Sequence, residues 1–174
     1  MNIRHGDVYS TVRHKMNHHI FERFSDTSKM IEAEQELIAL GAEAVPILES
    51  FFDGSAKNKF GVPYRQLGLP MTCALETARR IGSLSKPLEF YLREELKSGN
   101  HTAAMALCSL GSIDEESVAA LAESLSEGLD LASESAVALI KHDQASHGAV
   151  SKKLSESEPA AVIFKRVSKW NANI

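Results

Sequence analysis

The chain has 174 residues, 44% of them hydrophobic, and a formal charge of −4. That is enough to bury one real core, too apolar for a disordered chain, and short of the positive charge that a general nucleic-acid binder uses. Aromatics make up only 6% while Ala, Leu, Ser and Glu abound, which favours helices over sheets.

At the start of the chain, Val8, Val12, Met16, Ile20 and Phe24 recur in steps of four, one apolar stripe on an otherwise polar helix. Residues 1–27 therefore read as an N-terminal cap. No hydrophobic segment with a small-residue cleavage site appears there, so a signal peptide is not expected. Nor does any apolar run approach the roughly 20 residues of a membrane-spanning helix. The expectation is a cytoplasmic protein with no membrane partner. His14, His18 and Glu22 share one side of this helix, a spacing at which histidines can hold zinc or nickel. A hydrated polar face explains the same residues, and it is the reading taken: no metal and no cofactor is expected.

Next comes "ELIALGAEAVPIL", Glu36 to Leu48, with a Gly and a Pro five residues apart. Gly41 suits the end of one helix, and Pro46 suits the first turn of the next, where its missing N–H costs little. The pattern returns. Ala33, Leu37 and Leu40 precede Gly41; Ala74, Ala78 and Ile81 precede Gly82; Ala103, Leu107 and Leu110 precede Gly111. A fourth copy reads Ser133, Val137 and Ile140, with Lys141 in place of the glycine. Positions four and three apart share a helix face, so each copy carries one apolar stripe ending at a stop. Second stripes follow at Val45, Leu48 and Phe52, then Leu88, Tyr91, Leu92 and Leu96, then Val118, Leu121 and Leu125, and last Val150 and Leu154. A two-helix unit of this size cannot bury both stripes alone, so neighbouring units must share a core. Leu37, Leu40, Ala78, Ile81, Leu107, Leu110, Val137 and Ile140 are expected to form one continuous buried row.

The repeats span residues 28–156, interrupted by one insertion, "GSAKNKFGVPYRQLGLP", Gly54 to Pro70. A loop this long without helical periodicity is unusual. It carries Phe60, Tyr64 and Arg65 among lysines, residue types enriched at interface centres. Two readings stand: the loop contacts a partner, or it folds down over the groove between the first two repeats. Residues 157–174 read as a C-terminal cap with a stripe of Ile163, Val167 and Trp170. The whole, 1–174, reads as a single all-α domain: an α-solenoid of about four helix pairs with a cap at each end.

The repeats resemble the HEAT family, in the short bacterial form also seen in phycobilisome lyase-like proteins. An Ala-rich helix, Leu-Gly and a Val-Pro-hydrophobic opening of the next helix carry the likeness, as in "ALGAEAVPIL". The resemblance implies a stacked helical scaffold. Its members include scaffolds, inhibitors, immunity proteins and occasional lyase-like enzymes.

Catalytic motifs are sparse along the chain. No Gly-rich phosphate loop, nucleophile elbow or paired-cysteine motif is present. Cys73 and Cys108 lie in Ala/Leu-rich helical stretches and read as reduced and buried. "KHDQASH", Lys141 to His147, places His, Asp and Ser close in sequence, but triads are assembled from separate elements, and the stretch fits a polar turn.

Charge comes in blocks. Residues 28–56 hold six acids and one base, residues 101–141 seven acids and one base, while the insertion is +3. In stacked repeats, Glu49, Asp53, Glu89, Glu123 and Glu127 would line up as an acidic band. The band and the loop together suggest one basic protein partner, in the narrowest version a toxin neutralised by an immunity protein. The rival is a lyase-like or metal-dependent enzyme or enzyme subunit. A DNA-binding helical repeat resembling the alkylpurine glycosylases would want a basic face, and the acidic middle argues against it.

Overall fold

The computed structural model describes residues 19–171, and among them every regular element is helical. Contacts divide the chain into two compact units that meet in sequence between Thr77 and Ala78.

The first unit begins with helical residues 19–24, α1. Helix α2 (Met30–Leu40) and helix α3 (Ala44–Phe52) follow, joined by a short 3-10 turn, Gly41–Glu43. Gly41 has φ +56°, a conformation that L side chains resist, and this is why a glycine ends α2. Pro46 is the third residue of α3, inside its first turn as expected. Aromatic rings make this unit's core. Phe21 stands 5.1 Å from Phe51, 5.7 Å from Tyr64 and 5.8 Å from Phe24 between ring centres. All four are at most 1% exposed, so the scarce aromatics are concentrated where they bury most area. After α3 the chain forms the inserted loop and a 3-10 turn, Tyr64–Gln66. Helix α4 (Gly68–Ile81) then starts inside the stretch that sequence treated as loop, so the irregular part is shorter than 54–70.

The second unit contains a 3-10 stretch, Gly82–Leu88, and then α5 (Glu89–Lys97), α6 (His101–Ser109), α7 (Glu115–Ser124), α8 (Leu129–Lys141), α9 (Gly148–Glu156) and α10 (Glu158–Asn171). Alternate helices pack on one another: α5 on α7 and α7 on α9 in one row, α6 on α8 and α8 on α10 in another. Consecutive helices α5 and α6, α7 and α8, and α9 and α10 join the rows. Caps fix the starts. Asn100 accepts from the Thr102 N–H at 3.1 Å, and Asp114 from the Ser117 N–H at 2.7 Å.

Several expectations need correction. Gly82 stops α4 with φ +71°, like Gly41, but Gly111 has no positive φ. Pro87 sits inside the 3-10 stretch, two residues before α5 begins, rather than in a first α-helical turn. Of the expected buried row, Leu37, Ala78, Leu107 and Leu110 are buried, whereas Leu40 is 37% exposed and Ile81, Val137 and Ile140 are half-buried. In α8 the buried face is Ala132, Ala136 and Leu139, one residue earlier than the pattern suggested. In α10 the buried stripe is Ala160, Phe164 and Val167; Ile163 is half-buried and Trp170 is 63% exposed. Val8, Val12 and Met16 lie outside the described residues, while Ile20 and Phe24 are buried.

Candidate functional site

An open groove of about 680 Å³ runs along the second unit, between the end of α5 and the outward face of α7. Its floor is small: Ser98 and Gly99 beyond α5, Ala119 and Ala120 on α7. The groove exists because these side chains are too short to fill the space between the helices. Leu96 and Leu131 give it apolar surface, Lys97 one ammonium, and Glu116, Glu123 and Glu127 three carboxylates. The α7 positions recur at three- and four-residue steps, so acids and alanines share one face.

Two of these carboxylates are held in place. Arg93 Nη2 reaches Glu116 Oε2 at 2.6 Å, and Lys153 Nζ on α9 reaches Glu123 Oε2 at 2.6 Å. Both glutamate side chains remain more than three-quarters or about three-quarters exposed, at 78% for Glu123 and 75% for Glu116. The pairs therefore orient the carboxylates from largely buried cations without hiding them. Arg93 itself is 5% exposed and grips Asp114 with Nη1 at 2.9 and 3.0 Å. Burial pushes the Asp114 carboxyl upward, but hydrogen bonds from Ser117 and Arg93 outweigh it, so the group sits below the usual carboxylate range.

Of the acids singled out in the sequence, Glu123 and Glu127 meet at this groove. Glu49 and Asp53 lie exposed on the first unit, where the Asp53 carboxylate accepts from the Ser55 N–H at 2.7 Å. Glu89 is not on any surface. It is 5% exposed, accepts from the Asp114 N–H at 2.7 Å and is paired with Lys86. Its job is to tie α5 to the start of α7. Sequence reasoning missed Glu116, because an acid in the first turn of a helix reads as an ordinary N-terminal charge.

The inserted loop is an ordered hairpin. Lys57 and Pro63 form an isolated antiparallel bridge, and the Asn58 side chain accepts from the N–H groups of Phe60 and Val62 at 2.9 and 3.1 Å. That scaffold presents Phe60 78% exposed at the tip, with the Lys59 ammonium 5.1 Å from its ring centre. Tyr64 and Arg65 are less exposed than the tip. Tyr64 is 1% exposed against Phe21, and burial, with Glu22 adding to it, pushes its hydroxyl up to about 12. Arg65 is half-buried and donates to the Phe52 carbonyl at 2.5 Å, closing the end of α3. The loop's base is thus structural cover and its tip is exposed.

The remaining chemical groups serve local structure. Lys141–His147 joins α8 to α9. His142 Nε2 lies 3.1 Å from the Leu107 carbonyl, and His147 Nδ1 accepts from the Ala149 N–H at 3.2 Å while its Nε2 meets Glu115 at 2.6 Å. Cys73 is buried and pushed up to about 12 by that burial, with Glu34 adding to it. Burial also raises the half-buried Cys108 thiol, so neither is a ready thiolate. Among the described residues no group of three His, Cys, Asp or Glu side chains is gathered as a metal ion would need. His14 and His18 lie outside those residues; Glu22 borders a small pocket of about 300 Å³ with His19, Arg23, Asp26 and Lys29. No described helix is long and apolar enough to cross a membrane. Compared with family models, curated proteins and solved structures, the chain finds no match.

Proposed function

We propose that the chain is a non-catalytic protein-binding module of the HEAT-like α-solenoid type, docking one basic partner along the α5–α7 groove. The groove itself carries the reading: a floor of Ala, Ser and Gly that lets a partner's backbone come close, walled by exposed carboxylates already held in place. Preoriented side chains lose little entropy on binding, and matching charge speeds encounter and selects the partner. The two-row packing of α5 to α10 supports the solenoid, since it is how stacked two-helix repeats share a core. Phe60, rigidly presented on its hairpin, is a second contact candidate on the first unit. The narrowest form of the proposal is an immunity protein that neutralises a basic toxin, in a cytoplasmic setting.

Affinity purification of wild type beside the double variant Glu123→Lys, Glu127→Lys tests it. A single stoichiometric basic protein retained by wild type and lost by the variant is expected. Equal retention by both would remove the groove from the proposal, and a small-molecule turnover activity in the purified chain would favour an enzyme.

A further inference from the structure

Helix α10 buries Ala160, Phe164 and Val167, and packs on α8 and α9. Its other side faces outward. Val162 is 53% and Trp170 63% exposed, and Lys165, Arg166 and Lys169 are exposed between them. At 3.6 residues per turn these five positions fall within one arc of about 140°. Glu158 opens the same face, so its positive charge gathers in the last two turns beside Trp170. With the inserted loop, at +3, this face is one of the basic patches of a chain whose formal charge is −4.

We propose that this face docks on an anionic lipid surface, with Lys165, Arg166 and Lys169 meeting headgroup charges while Trp170 and Val162 enter the interfacial layer. Charge complementarity and the order of side chains carry it. A phosphate backbone would match the positive charge but leave Val162 against polar groups. A lipid surface offers anionic headgroups and an apolar layer side by side, and the indole ring, apolar with one N–H donor, prefers that boundary. Each basic residue near an anionic membrane contributes about 1 kcal/mol. The attraction is local, fading within about 10 Å at 0.1 M salt, so the chain's net negative charge does not forbid it. Surface docking needs no spanning helix, and it is independent of the groove on α7.

The chain has one tryptophan, and it lies in this face. Its fluorescence therefore reports on the proposed contact directly. The full chain is mixed with phosphatidylcholine vesicles, with and without phosphatidylserine, at low and at high salt. Emission should shift to shorter wavelength by several nanometres with phosphatidylserine only, and the shift should reverse with salt. Lys165→Gln with Arg166→Gln should weaken vesicle binding about 30-fold, the change that two such cations imply. Trp170→Ala, followed by vesicle co-sedimentation, should bind more weakly and gives a second readout should the double variant fail to fold. Unchanged emission with phosphatidylserine at low salt, an equal shift with phosphatidylcholine alone, or wild-type binding by a folded double variant overturns the proposal. A shift produced by polyglutamate or a single-stranded oligonucleotide but not by vesicles also overturns it, and assigns the face to an acidic macromolecule.

Discussion

Phe60 and Tyr64 stand four residues apart in one loop and have opposite fates, one 78% and the other 1% exposed. Nothing in their residue types separates them; the difference is made by Phe21, which comes from α1 to pack against Tyr64. Tyr64→Ala should therefore destabilise the free protein by about 3–5 kcal/mol, the range for emptying a buried aromatic site. Phe60→Ala should stay within about 0.5 kcal/mol. Urea denaturation of the two variants checks both. Asp114 allows a sharper test. Its folded-state carboxyl lies below the ordinary value of about 3.9. Such a group contributes stability above its unfolded pKa and loses that contribution as pH falls through the folded value. Asp114→Asn keeps a capping oxygen for α7 but drops the charge facing Arg93. The variant should be less stable than wild type by about 1 kcal/mol at neutral pH, since the Asp114 side chain is about half exposed and solvent screens the pair. The gap should begin to narrow as pH falls below about 4 and close only below the depressed folded-state value, where the wild-type side chain is also neutral. A gap that stays constant down to acid pH would show that the charge contributes nothing.

Helices were the most legible scale. Gly41 and Gly82 mark helix ends because both take positive φ, whereas Gly111, at the same place in the pattern, does not. The fourth copy buries a face one residue earlier than its sequence pattern suggests. Pattern matching favoured the large Val137 and Ile140, whereas α8 buries Ala132, Ala136 and Leu139. Small residues let α8 approach α6 closely, and a scan for bulky apolar positions passes over them. Leu139→Ala should cost about 2–5 kcal/mol, and Ile140→Ala distinctly less. Thermal or chemical denaturation ranks the pair, and the reverse order would restore the original register. The same preference for large residues put Trp170 in the buried stripe of α10, where Phe164 belongs. Glu89 was illegible for a different reason: its partner, the Asp114 N–H, lies 25 residues along the chain. Only tertiary structure could turn an apparently exposed helix acid into a buried tie between α5 and α7.

At the scale of the whole molecule, blocks of charge in the sequence only partly became surfaces. Glu123 and Glu127 reached a common groove, Glu116 joined them unannounced, and Lys153 and Arg93 hold two of the three in position. That constellation, rather than net charge, supports a docking role. The most direct test is amide hydrogen exchange on the complex with whatever basic partner co-purifies. Binding along the groove predicts slowed exchange in residues 96–99 and 116–127, with the α10 amides unaffected. Protection confined to other helices, with α7 exchanging as in the free chain, would contradict the assignment of this groove.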